Sequence, residues 1–175
     1  MVAPKRLDLV LSRDEIVREV KRLAQEIERD YQGKSPLLIG VLKGCFVFMA
    51  DLARFLQLPV EIDFITLSSY DQATVTSGEV KVVQELRSEL KGQDIILVED
   101  ILDTGLTLSY LIDILRREKP ASLKVCVLFD KPSRRQVPVN VDYLGFTVPD
   151  KFLVGYGLDC GGKFRQLPDL YSIED

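Results

Sequence analysis

Ile95-Ile96-Leu97-Val98-Glu99-Asp100-Ile101-Leu102-Asp103-Thr104-Gly105-Leu106-Thr107-Leu108 is the stretch on which the reading of this chain turns. An apolar run ends in two adjacent carboxylates, a third follows, and small and hydroxyl-bearing residues then lead into a helical pattern. That is the make-up of a strand, a loop and a helix N-terminus, with acids at the strand's carboxyl end. Amide N–H groups and the positive end of the helix dipole favour an anion at such a place. Carboxylates beside an anion take a divalent cation or sugar hydroxyls as partners. The loop therefore reads as a site for a phosphorylated sugar. The plain alternative is an ordinary strand–turn–helix connection whose acids cap the helix.

Outward from this stretch, apolar strands alternate with helical patterns. Ser12-Arg13-Asp14-Glu15 is a capping box, and Ile16, Val17, Val20, Leu23, Ala24 and Ile27 follow at helical spacing, predicting one amphipathic helix to about Asp30. Leu37 to Leu42 is a continuous apolar run, as expected of a strand buried on both faces. A second helix is predicted from Phe46 to Leu56, and strands over Val60 to Leu67, Val80 to Val83 and Asp94 to Val98. Leu108, Leu111, Ile112 and Leu115 mark a third helix, closed by Lys119-Pro120. Leu123 to Phe129, Tyr143 to Phe146 and Phe152 to Val154 are further strands. This order implies an α/β fold, a parallel twisted sheet flanked by helices, which binds ligands at the carboxyl ends of its strands. The acidic loop, the Lys43-Gly44 turn and the Lys131 loop all emerge there.

Composition narrows the function. With 175 residues, 46% apolar and 29% charged, the chain has the size and make-up of a single globular domain over residues 1–175. A net charge of −4 argues against nucleic acid as the main partner. There is no histidine, so acid–base chemistry falls to Asp, Glu, Lys or Tyr. Cys45, Cys126 and Cys160 lack metal-ligand spacing and read as reduced thiols of a cytoplasmic protein. The longest apolar runs are strand-sized, so no membrane segment is expected.

Val98 to Gly105 resembles the phosphoribosyl diphosphate (PRPP) signature of type I phosphoribosyltransferases, in the form found in the hypoxanthine-guanine, or 6-oxopurine, branch. Four separated motifs, in order from about Leu37 to Arg165, carry the resemblance. It implies the type I phosphoribosyltransferase fold, with a small hood from the chain termini. It also implies purine salvage: transfer of phosphoribosyl from PRPP to N9 of hypoxanthine or guanine, with Mg2+, in a homodimer or homotetramer. A xanthine-preferring relative and a phosphoribosyltransferase-fold regulator that senses nucleotides are the alternatives.

Residue by residue, the resemblance assigns pyrophosphate to Lys43 and Gly44, with an expected cis peptide between Leu42 and Lys43; a Gly turn with a surface Lys is the plain alternative. Ser69-Tyr70 would open a lid over the reacting centre, a disordered surface loop being the plain alternative. The 5′-phosphate falls to Asp103, Thr104, Gly105, Leu106 and Thr107, with Leu106 where many relatives are polar or basic. Glu99 and Asp100 would face the ribose hydroxyls and magnesium, and Asp103 would move the proton at purine N7. Lys131 would donate to the 6-oxygen, a solvated surface charge on its loop being the plain alternative, while Phe152 would stack on the base and Leu153 meet its edge. Asp159 matches the second magnesium ligand. Arg165 matches a cation on pyrophosphate, against surface salt-bridging as its other reading.

Overall fold

Each central strand carries apolar side chains on both faces, so each face needs a helical cover. The computed structural model describes residues 6–68, 81–84 and 88–174. Within it the order is β1 (Arg6–Leu11), α1 (Arg13–Asp30), β2 (Leu37–Leu42), α2 (Phe46–Phe55), β3 (Glu61–Ser68), β4 (Lys81–Gln84) and β5 (Asp94–Leu102). It continues with α3 (Leu106–Arg117), β6 (Ser122–Asp130), a short 3-10 turn (Pro132–Arg134), β7 (Tyr143–Thr147), β8 (Phe152–Val154) and β9 (Leu170–Glu174).

The main sheet runs β4-β3-β2-β5-β6-β7. Strands β3, β2, β5, β6 and β7 are parallel, and β4 returns antiparallel to β3 at the edge. Alternation along the strands divides the core. Leu38, Ile96, Val98, Cys126 and Leu128 face α1 and α2, packing with Ile16, Val20, Leu23, Phe48 and Leu52. Leu37, Ile39, Ile95, Leu97, Val125 and Val127 face α3 and its Leu108, Leu111 and Leu115. Each such fully buried aliphatic side chain contributes about 1.5–3 kcal/mol. The Ser12–Glu15 capping box is formed, and no helix among the described residues is long and apolar enough to cross a membrane.

A second, three-stranded antiparallel sheet, β1-β9-β8, joins the two ends of the chain. This is the expected hood, although β1 and β9 were not among the strands read from hydropathy. Another difference concerns β5, expected to end at Val98. It runs on to Leu102, because pairing with β6 continues through Glu99↔Val127, Ile101↔Phe129 and Leu102↔Asp130. Backbone pairing thus carries two carboxylates inside the sheet rather than beyond it. The chain order reverses between β2 and β5, which opens a crevice at their carboxyl ends, where open α/β sheets bind ligands.

Candidate active site

Two adjoining cavities occupy that crevice. The first, of about 260 Å³, is lined by the ends of β2 and β5 and by the turn into α3: Val41, Leu42, Glu99, Asp103, Gly105 and Thr107 among them. Gly105 opens α3 with φ 84°, a left-handed conformation that costs glycine nothing. The N-cap glycine has no side chain to cap the helix, and Gly105, with Thr107 and Leu108 of the first turn, lines the cavity, where the amides of a helix N-terminus favour an anion. Thr104 Oγ1 accepts weakly from Leu106 N at 3.4 Å, and Leu106 itself is exposed. Lys43 stands exposed between the lining residues Leu42 and Gly44, and the Leu42–Lys43 peptide is cis, as expected.

The second cavity, of about 340 Å³, is lined by Gly44, Lys131, Arg134, Phe152, Leu153, Asp159 and Arg165, among others. Asp100, Ile101 and Asp103 line both cavities. The hood strand β8 supplies Phe152, which is 54% exposed and offers an open ring face, and Leu153, which is buried. Lys131 is only 4% exposed; its Nζ donates to the carbonyl of Lys151 at 2.8 Å, tying β6 to the hood. The surface-charge reading of Lys131 is thereby removed.

Glu99 and Asp100 are 8% and 6% exposed. Burial, and then the neighbouring Asp100 charge, push Glu99 well above the usual carboxyl range. Burial raises Asp100 as well, held back by a hydrogen bond from Glu99 and by the charge of Arg165. An all-oxygen pair this costly to ionise fits a hard divalent cation, whose charge would offset that cost. Among the described residues no group of three or more acids or thiols is gathered to hold a metal alone. Asp159 is drawn aside, with Oδ1 at 2.5 Å from Arg165 Nη2 and Oδ2 accepting from Gly162 N at 2.6 Å. Arg165 also donates to Gly157 O at 2.6 Å. It is salt-bridged, as its plain reading had it, and the pair lines the cavity.

Asp103 is the remaining carboxylate, and its buried Oδ1 has no hydrogen-bond partner among the described residues. A buried acceptor without a partner costs about 1–3 kcal/mol and calls for a reason. Ser69 and Tyr70, the expected lid, lie outside the described residues.

Hydropathy and motif reading gave no role to Arg135. Its side chain is half-buried, donates Nε to Asp103 O at 3.0 Å and Nη2 to Leu102 O at 3.2 Å, and pairs with Asp130. Nothing local in the sequence signals the grip on the two carbonyls, which lie more than thirty positions upstream. A wider groove of about 770 Å³ opens between Leu90 and Leu115, but it holds none of these groups. Chemistry, not size, marks the site.

Similarity to known proteins agrees with this geometry. Residues 8–160 match the family model of the phosphoribosyl transferase domain. The hypoxanthine-guanine phosphoribosyltransferase of Aquifex aeolicus is 48% identical over 98% of this chain and 97% of its own length. That of Bacillus subtilis is 48% identical over 91% of this chain and 89% of its own. A crystal structure of a hypoxanthine-guanine phosphoribosyltransferase from Bacillus anthracis superposes with a TM-score of 0.90 at 44% identity, covering 98% of this chain and all of that one.

Proposed function

Because this chain belongs to the hypoxanthine-guanine phosphoribosyltransferase family, we propose that its two cavities bind PRPP and a 6-oxopurine side by side and join them through Asp103. The enzyme is a pentosyltransferase of purine salvage, forming IMP or GMP and pyrophosphate. The observation that carries the assignment of roles is the buried Asp103 Oδ1, unpartnered among the described residues, on a residue shared by both cavities.

The amides opening α3, with Thr104 and Thr107, hold the 5′-phosphate. Leu106 contributes its backbone there, its side chain being exposed. Glu99 and Asp100, with Asp159, are the residues that would hold magnesium, which supplies positive charge against the departing pyrophosphate. Lys43, Gly44 and Arg165 meet the pyrophosphate side. Phe152 stacks on the base, Leu153 meets its edge, and Lys131 donates to its 6-oxygen. Purine N9 bonds to the anomeric carbon as that carbon's bond to pyrophosphate breaks, and Asp103 moves the proton at N7. With no histidine in the chain, a placed carboxylate is the available base. Holding the partners in line accounts for much of the rate.

The 175 residues act as one phosphoribosyltransferase domain, in a cytoplasmic homodimer or homotetramer. The buried Cys45 and Cys126, whose thiols burial keeps protonated, support a reducing compartment. The test offers hypoxanthine, guanine, xanthine and adenine separately with PRPP and magnesium, with Asp103→Asn alongside. Turnover of the oxopurines but not adenine is expected. In Asp103→Asn, kcat should fall about 10²–10⁴-fold while nucleotide still binds. Wild-type turnover in the variant would sink the base assignment. Nucleotide binding without turnover of any base would favour a regulator.

A further inference from the structure

Three consecutive carbonyls of the phosphate loop are each clasped by the base-binding loop. Leu102 O accepts from Lys131 N at 2.9 Å, and Thr104 O accepts from Gln136 N and Val137 N at 2.9 and 3.1 Å. Those are backbone bonds, which survive most substitutions. The carbonyl between them differs: among the described residues Asp103 O accepts only from a side chain, Arg135 Nε at 3.0 Å. The same guanidinium reaches Leu102 O at 3.2 Å and pairs with Asp130, the residue just before Lys131. Side-chain exposures of 19% and 15% set this Arg135–Asp130 pair apart from a solvent-screened surface bridge.

We infer that Arg135 is a positioning residue: its planar fork, anchored by Asp130, fixes the main chain of Asp103 and thereby aims the carboxylate that moves the proton. The inference rests on the proposed role of Asp103. Its physical basis is geometric. Asp103 and Thr104 lie between the end of β5 and Gly105, the N-cap of α3, outside both ladder and helix. Asp103 Oδ1 has no hydrogen bond among the described residues, so its direction there comes from the backbone beneath it. A rigid guanidinium can serve three acceptors at fixed angles, whereas the single ammonium of a lysine cannot. One side chain thus links the loop that reads the base, through Asp130 and Lys131, to the loop that moves its proton. Among the described residues the fork's hydrogen bonds go to Leu102 O, Asp103 O and Asp130 and to none of Lys43, Lys131, Phe152 or Arg165, so its loss should appear in turnover rather than in affinity.

The test measures kcat per nucleotide-binding site, with sites counted by IMP titration, for wild type, Arg135→Met, Arg135→Lys, Asp130→Asn and Asp103→Asn. Arg135→Met and Arg135→Lys should each lower kcat per site about 100-fold, the usual effect of an ångström-scale misplacement. KM for PRPP and for hypoxanthine should stay within about threefold of wild type. Asp130→Asn, which keeps an oxygen acceptor for Arg135, should lose less. A merely structural role would reduce the number of sites and the unfolding midpoint while leaving kcat per site intact, and that outcome overturns the inference. So does a raised KM at unchanged kcat. Should Arg135→Met leave too few sites to count, Arg135→Lys and Asp130→Asn carry the same comparison. Loss in Asp103→Asn with full kcat in Arg135→Lys overturns the positioning role alone, whereas full kcat in both overturns the Asp103 assignment as well.

Discussion

Gly44 is where a single methyl group should separate activity from stability. A Cβ at this position would stand 1.7 Å from Asp100 Oδ2 and 2.6 Å from its Cγ, whereas real Cβ contacts essentially never fall below 3.0 Å. In Gly44→Ala the Asp100 carboxylate must therefore withdraw by more than about 1 Å, the scale of misplacement that costs about 10²-fold in rate. Asp100 is 6% exposed and shares a hydrogen bond with Glu99, so the displacement disturbs the whole acidic pair. A hundredfold loss corresponds to about 2.7 kcal/mol of transition-state stabilisation. The yielding group is a short side chain beside a cavity rather than packed backbone, so the fold should persist. Initial rates over a PRPP and magnesium series, with thermal unfolding of the same preparation, make the assay. The expected result is kcat/KM for PRPP down about 100-fold with the unfolding midpoint within a few degrees of wild type. Wild-type kcat/KM in a folded Gly44→Ala would refute both the close approach and the role given to Asp100.

Gly157→Ala should behave oppositely, because its Cβ would meet the backbone carbonyl of Gly44 at 2.1 Å and its φ is +99°. A loss of about 2–4 kcal/mol in unfolding free energy is expected from urea titration, and an unchanged midpoint would contradict it. Lys131→Met should lower kcat/KM for hypoxanthine at least about 100-fold and narrow the gap to adenine, measured by competing bases; an undiminished preference for the oxopurine would discount the donor role. Asp30 is held below the usual carboxylate range by hydrogen bonds from Lys124 and then Tyr143. Its stabilisation is therefore present above the unfolded value near 3.8 and is lost as pH falls through the folded one. At 43% side-chain exposure, screening limits the effect to about 0.5–1 kcal/mol. Asp30→Asn should lose that amount at neutral pH and converge on wild type as pH falls through the lowered folded value, and a gap that persists in acid would exclude the ion pair as its cause.

Local pattern made much of the fold legible. Helical spacing placed Ile16, Val20, Leu23 and Ile27 on the buried face of α1, and Leu108, Leu111, Ile112 and Leu115 on that of α3. Continuous apolar runs identified β2, β5 and β6 as strands covered on both faces. The type I fold and the hypoxanthine-guanine branch were likewise readable from Val98 to Gly105 and the three other motifs. What escaped was set at a distance. β1 and β9 pair Arg6 with Glu174, and a six-residue and a five-residue segment show no periodicity strong enough to announce that union. The end of β5 is decided by how far β6 continues beside it.

The candidate site divides along the same line. Residue types and their order determined which groups are present: three carboxylates before a helix, a lysine after a strand, an aromatic in a late strand, and no histidine to compete for proton transfer. Only the tertiary structure decided their states. It buried Lys131 against the hood, paired Asp159 with Arg165, left Asp103 Oδ1 without a partner among the described residues and put Arg135 beneath it. Periodicity and capping act over a few residues and are written locally, whereas burial, charge pairing and close approach depend on which distant segments the sheet brings together.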